Sequence, residues 1–555
     1  MKKARLIALL ITLVMVVGLI AACGPTAPPT QDPTPPAQPP TQPPAQPPTQ
    51  PGQPPAQPPP VVTPPAEVGE THLIVVQPML PTNMDPTLAN EVPGARFHSL
   101  VYGTLVYQDA NLNIVPGIAE SWEFVDAQTV VFNLRPGVLF HNGAVLTAED
   151  VAFSLNRAGE SPHVSAITGF IEEVTVIDDH TVQVRAEYPF APILNHLAHQ
   201  AASIVNKAHV MAVGDEAHGA SYPIGTGPFM LNTFVTGDHY ILDRFDGFNS
   251  VKPGLAPGTL PTLERITFRV VPEPGVRTIE LETGAAHINL DTGTAEVARI
   301  RAHPTLVMYE VPDLSLNSWL GFNHLRAPFD DIRVRQAIAY VLDLDTVVAV
   351  AWDGLGVRAR GPLATTVWGA QTFPPHPHNI ERARELMEEA GLADGFQTSI
   401  WTNEGNAMRA QAATMIQHML LAINIEASIH IYEWATLLPA TAAGEHGMSI
   451  MGWVSVTGDP DYGLYPTLHT NNHGEAGNRN FFSNARVDEL LIEGRTNTDP
   501  AVRYAIYAEA QQIIMDELAF LPMWQGANLH ATVGDVGGFV VTPAGIPQLW
   551  TVYIR

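Results

Sequence analysis

Alternation of β-branched and polar residues marks strands along much of this chain. HLIVV (72–76), TVVFNL (129–134), EEVTVIDDHTVQVRA (172–186) and ERITFRVV (264–271) carry that period of two, and Asp178-Asp179-His180 supplies a turn inside the third. Helical spacing takes over elsewhere. Val334, Ala337, Ile338, Val341 and Leu342 share one face of the stretch after Asp330, as do Val487, Leu490 and Leu491 between Ser483 and Gly494. Asp499-Pro500 opens a further helix as N-cap and first-turn proline, with Val502, Ile506, Ala510 and Ile513 predicted on its inner face. Strands and helices mixed in this way predict an α/β protein with several lobes.

LFHNGAVLTAEDVAFSLNR (139–157) places His141 ahead of the acidic pair Glu149 and Asp150. The spacing Thr147-Ala-Glu-Asp150 is that of a capping box, and two acids in a first turn suit the helix dipole. Arg135-Pro-Gly and His141-Asn-Gly are turn signals around a short strand, Val138 to Phe140. His141 therefore reads as part of the fold and needs no ligand.

The N-terminus changes the picture. Lys2, Lys3 and Arg5 precede an apolar run from Leu6 to Ala22, and the only cysteine of the chain, Cys23, follows Ile20-Ala21-Ala22. Residues 1–22 thus read as a signal peptide. The small residues before the cysteine resemble a bacterial lipobox, which implies cleavage before Cys23 and lipid on its sulfur. A short transmembrane anchor is the other reading, at the lower length limit for a span. Residues 23–66 form a linker of Pro, Gln, Thr and Ala, stiff and extended, reaching at most on the order of 130 Å at about 3.1 Å per residue. No second membrane-length apolar run follows, so the rest is expected to be soluble and extracytoplasmic. Whether that means a periplasm or an outer cell surface stays open.

With 555 residues, 46% of them hydrophobic and 15% charged, the chain is globular and too long for one core. A formal charge of −27 with no basic run beyond the N-terminus argues against nucleic acid. Enzyme chemistry finds no constellation: His196-Leu-Ala-His199 lacks the Glu of a HExxH zinc site, and His376-Pro-His378 lies in a proline-rich loop. No cofactor or metal site is expected.

Several motifs carry a family resemblance. LVYQDANLNIVPGIAESWEFVDAQTVVFNLRPGVLFHNGAVLTAEDVAFSLNR (105–157) resembles the signature region of the peptide/opine/nickel family, family 5, of ABC-transporter solute-binding proteins. PIGTGPF (223–229), PFDDIRVRQAIAYVLD (328–343), ERARELMEEAGLADGF (381–396), MGW (451–453), GDPDYGLYP (458–466) and the stretch 484–514 extend the likeness in order along the chain. The resemblance implies a type II periplasmic-binding-protein fold, with two main lobes joined by a hinge and an inserted third domain. Lobe I would comprise 71–111, 223–314 and 520–555, lobe II the insertion 112–222, and lobe III 315–519. It also implies a monomer that closes lobes I and III over a solute and delivers it to an ABC permease with its ATPase subunits, tethered to the membrane through lipid on Cys23.

The ligand implied is an oligopeptide or peptide-like solute, glutathione-like among them. The dipeptide branch of the family places an amine-binding aspartate three residues after a tryptophan. Here the tryptophan is Trp453 and that position is Val456, which cannot pair with an ammonium. Arg409 is the candidate for the carboxylate, displaced along the loop after Ser399-Ile-Trp401. GWVSVTGDPDYGLYP (452–466) is closer to the glutathione-binding branch, and offers Ser455, Thr457, Asp459 and Asp461. Asp459 or Asp461 replaces the amine anchor if the loop bends inward; otherwise Gly458-Asp-Pro is a turn and helix start that Asp459 caps. Trp453 is a core residue or a stacking wall, and the resemblance favours the wall. Trp319, Trp401 and Trp434, one by one, read as packing. Asn90 and Trp401 complete the ligand-binding set of Trp453, Ser455, Thr457, Asp459 and Arg409. Within the same family, nickel or metal chelates, opines and sugars are the alternative cargo, and a receptor that senses without transport is a third class.

Overall fold

In the computed structural model, residues 71–555 are described, apart from 90, 405 and 543. Cys23, the linker and Asn90 lie outside them. The predicted strands form where the alternation placed them: His72–Gln77, Thr129–Leu134, Ile171–Asp178 with Thr181–Ala186, and Arg265–Val270.

One large mixed sheet organises the fold. From one edge its strands run Ile425–Tyr432, Phe396–Asn403, Met448–Val454, Leu306–Phe322, Phe520–Val533, Ile288–Asn289, His72–Gln77, Arg265–Val270, His239–Arg244 and Phe229–Val235, with Val357–Arg358 added beside Phe520–Val533. Its two halves have separate cores. Leu73, Phe97, Tyr240, Ile266, Phe268 and Trp550 pack in one, and Leu320, Phe322, Ile338, Ile400, Ile416 and Ile450 in the other. Leu306–Phe322 and Phe520–Val533 are the long antiparallel strands that pass from one half to the other. Leu521, Met523 and Trp524 still belong to the second core, so the crossing lies after them rather than at 520. Register slips at that crossing. Between the pairs Pro312/Ala527 and Asn317/Gln525, four residues of one strand face one of its partner.

A four-stranded antiparallel sheet, ordered Ala119–Phe124, Thr129–Leu134, Thr181–Ala186, Ile171–Asp178, carries a third core of Val130, Phe132, Val182 and Val184. Helix Ala148–Glu160 buries Val151 and Leu155 against it. The capping box forms: the Thr147 N–H donates to Asp150 Oδ2 at 3.0 Å. His141 is structural. Its Nδ1 accepts from the Gly225 N–H at 3.3 Å and its Nε2 lies 3.1 Å from Gly227 O, so the ring is a neutral link to the PIGTGPF turn. The glycines of that turn allow a close approach, since a Cβ on Gly227 would lie 2.2 Å from Leu100 O.

Helix Pro500–Asp516 starts at the Asp499 cap, but its inner face is rotated from the one expected. Arg503, Tyr507, Ala510 and Ile514 are buried while Val502 is exposed. A charged residue could join the inner face because Arg503 meets a buried carboxylate there, Asp459.

Candidate functional site

A cavity of about 500 Å³ opens between the two halves of the large sheet. Helix Val92–Val101 and the segment after it, Lys252-Pro253 and the stretch from Thr542 to Trp550 form one wall. The end of strand Met448–Val454, with Val456 and Tyr462, forms the wall opposite, and Trp434 stands at the rim, 45% exposed. Tyr102, Tyr107, Trp434, Trp453, Tyr462 and Trp550 give it an aromatic lining, interrupted by Gln108, Gln200 and Gln548.

Charge is sparse and mostly committed. Asp109 accepts from the backbone N–H groups of Asn111 and Asn113 at 2.8 and 2.9 Å, and Glu91 from the Thr82 N–H at 2.9 Å. Burial pushes His98 down to about 4 and His199 to about 3, so both rings are neutral at pH 7. Among the described residues, Lys252 is the only lysine or arginine in the lining. Its ammonium donates to Ser99 O at 2.7 Å and Tyr102 O at 2.9 Å, and lies 4.7 Å from the Tyr107 ring and 5.1 Å from that of Trp550. Burial lowers it to about 7.

The residues singled out from the sequence fall into two groups. Trp453 stands in the cavity wall, its Nε1 donating to Tyr462 O at 2.9 Å and its ring 5.6 Å from that of Tyr462. Val456 is beside it, so the wall is apolar where the dipeptide branch would carry an acid. Ser455, Thr457 and Asp459 are buried behind this wall and do not line it. The Thr457 carbonyl accepts from Gln108 Nε2 at 2.7 Å and Asn195 Nδ2 at 3.2 Å. Asp459 caps helix Pro460–Leu468, accepting from the Asp461 N–H at 3.0 Å, and makes a bidentate pair with Arg503 at 2.8 and 3.0 Å. It is committed twice over, and the loop does not bend inward. Asp461 pairs with Arg495 at 3.1 Å, and burial pushes its carboxyl up to about 6.

Arg409 sits in the first turn of helix Ala407–Leu420, donating to Asn403 Oδ1 at 2.8 Å, and is absent from the lining. Trp401 packs on Tyr432 at 4.8 Å and is absent from it too. Trp319 stacks on Phe520, as expected for packing, whereas Trp434 reaches the cavity. Lys252, Tyr107 and Trp550 were missed by the sequence reading. One signal pointed to the first: the 28 basic residues include only four lysines, Lys2, Lys3, Lys207 and Lys252.

The segment from 164 to 201 also touches this wall. Val164, Ile167 and Ala201 pack with Tyr462, and the Arg495 guanidinium lies 3.7 Å from the Tyr465 ring, with Tyr188 and Phe190 at 5.1 and 5.5 Å. Among the described residues no group of three or more His, Cys, Asp or Glu is placed to hold a metal ion, and no helix is long and apolar enough to cross a membrane.

Comparison with known proteins accounts for this architecture. The family model described as bacterial extracellular solute-binding proteins, family 5 Middle, matches residues 113–475. A dipeptide-binding protein of Escherichia coli strain K12 is 29% identical over 476 residues, covering 80% of this chain and 87% of that protein. The glutathione-binding protein GsiB of the same strain is 28% identical over 472 residues, with 83% and 90% covered. The solved structure of the ABC transporter-associated periplasmic binding protein DppA from Helicobacter pylori, in complex with the peptide STSA, matches at a TM-score of 0.75 and 26% identity. It covers 88% of this chain and 98% of that one. The fold is thus the type II periplasmic-binding fold, built to bind a solute and not to transform it. The chain belongs to the bacterial extracellular solute-binding proteins, family 5.

Proposed function

We propose that this protein is the extracytoplasmic, lipid-anchored receptor of an ABC importer, capturing short peptides or peptide-like solutes and delivering them to a membrane permease. One observation carries the peptide reading. Strand Phe396–Asn403 pairs with Met448 and Ser449 only, so the edge from Ile450 to Val454 has no ladder partner on that side among the described residues. That edge ends at the cavity, where an extended backbone can add to the sheet and leave its side chains to the aromatic walls. The cavity volume falls within the usual range for small-ligand sites, roughly 300–1,000 Å³. The dipeptide- and glutathione-binding relatives support the same class of cargo.

Titration of the tryptophan fluorescence with a peptide library and with glutathione tests this. Saturable changes are expected, and Trp453→Ala should weaken binding roughly tenfold or more by removing an aromatic wall. A protein silent to all of them would be a carrier of opines, sugars or chelates instead. The anchor is tested separately. Cys23→Ser is expected to move the protein from the membrane pellet to the soluble fraction, and an unchanged pellet would exclude lipid on that sulfur.

A further inference from the structure

We infer that Lys252 anchors a carboxylate of the bound solute and makes the cavity selective for ligands with a free carboxyl group. This rests on the reading of the chain as a peptide binder.

An ammonium has three N–H donors. Two of them cap the C-terminal carbonyls of helix Val92–Val101 and its cap residue, Ser99 O and Tyr102 O. Those acceptors are neutral, and every hydrogen bond found for this nitrogen goes to one of them. The side chain is only 5% exposed, and the rings of Tyr107 and Trp550 hold it in the cavity wall. A buried ammonium facing carbonyls and π-faces keeps most of its charge uncompensated. The acids of the lining offer no relief, since Asp109 and Glu91 are engaged with backbone N–H groups. The shortfall shows in its titration, which burial brings down to about 7. An anion in the cavity would restore the charge and take the third donor.

The choice of residue fits. The other described lysine, Lys207, makes a surface pair with Glu149. Elsewhere the described residues use arginine. A lysine can shed its proton when the cavity is empty, which an arginine cannot. The opposite wall, with Val456, offers no acid for an ammonium, so recognition by charge falls on the carboxyl end of the ligand.

The test compares leucyl-phenylalanyl-leucine, its carboxamide, and the carboxamide of leucyl-glutamyl-leucine, titrated against the full chain and against Lys252→Met. The free acid is expected to bind the wild type roughly ten- to a hundredfold more tightly than the carboxamide, as for a charge-assisted hydrogen bond. In Lys252→Met that ratio should fall to about one. A purely structural lysine would lower both affinities and leave the ratio unchanged, which overturns the inference. A glutamate that rescues the carboxamide assigns the site to a side-chain carboxylate, and one that does not assigns it to the C-terminus; either supports the anchor. If Lys252→Met does not fold, reductive methylation of the wild type serves. Lys252 should be protected by the acid and not by the carboxamide, and equal protection overturns the assignment. Binding without acid preference removes the anchor and leaves the peptide reading intact, whereas no binding of any of the three overturns both.

Discussion

Acidification from pH 7 to pH 5 is expected to remove most of the folding stability of this protein. Eight histidines are buried as neutral rings: His98, His141, His196, His218, His324, His446 and His530 titrate at about 4, and His199 at about 3. Desolvation of the charged ring is the first cause in each. At His141 the Gly227 carbonyl works the other way, but burial outweighs it, and the hydrogen-bond geometry also opposes the charged ring. Protonating its Nδ1 would set a new N–H against the Gly225 N–H that it now accepts. A folded value below the unfolded 6.5 means that the stabilisation is complete above 6.5 and is lost as the pH falls through about 4. At pH 5 each ring costs on the order of 2 kcal/mol. Together they rival the 5–15 kcal/mol, roughly, that holds a typical domain. Asp461 acts in the opposite sense, since its carboxyl is raised to about 6, but it is one group against eight. Urea unfolding at pH 7, 6 and 5 checks this, and a midpoint that does not move would refute it.

Asp459→Ala is expected to destabilise the protein by about 3–5 kcal/mol, the range for removing one partner of a buried ion pair. The substitution strands Arg503, which also donates to Gly494 O at 2.7 Å, and removes the cap of helix Pro460–Leu468. Asp459→Asn keeps an acceptor for the cap and separates the two contributions, the cap alone being worth about 1 kcal/mol. Adding Arg503→Met to Asp459→Asn should recover part of the loss, because no unpaired charge then stays inside. Denaturant midpoints read all three. A loss below about 1 kcal/mol for Asp459→Ala would mean that the carboxylate is not held by Arg503 and is free to meet a ligand.

Local rules made the framework readable. Alternation located Thr129–Leu134 and the hairpin 171–186, and Thr147 with Asp150 fixed the start of a helix, because each depends on neighbours within a few residues. The site resisted for the opposite reason. Asp459 looks like a free acid until Arg503, 44 residues on, closes over it, and the same pairing turned the helix face that apolar periodicity had assigned to Val502. Lys252 acquires its role from Ser99, Tyr102, Tyr107 and Trp550, three of them about 150 residues before it and one 298 residues after, a juxtaposition that no window of sequence contains. Trp453 and Val456 were accessible because the end of one strand and the residues just after it form the cavity wall, a single local stretch.

The slip of register between Leu306–Phe322 and Phe520–Val533 has a mechanical meaning. Four residues opposite one leave surplus backbone at the place where the chain passes from one core to the other. Paired ladder on either side resists bending more than the slipped segment, which has lost its register with Phe520–Val533. Any change of angle between the two halves of the sheet would concentrate at that joint, where least pairing has to be broken.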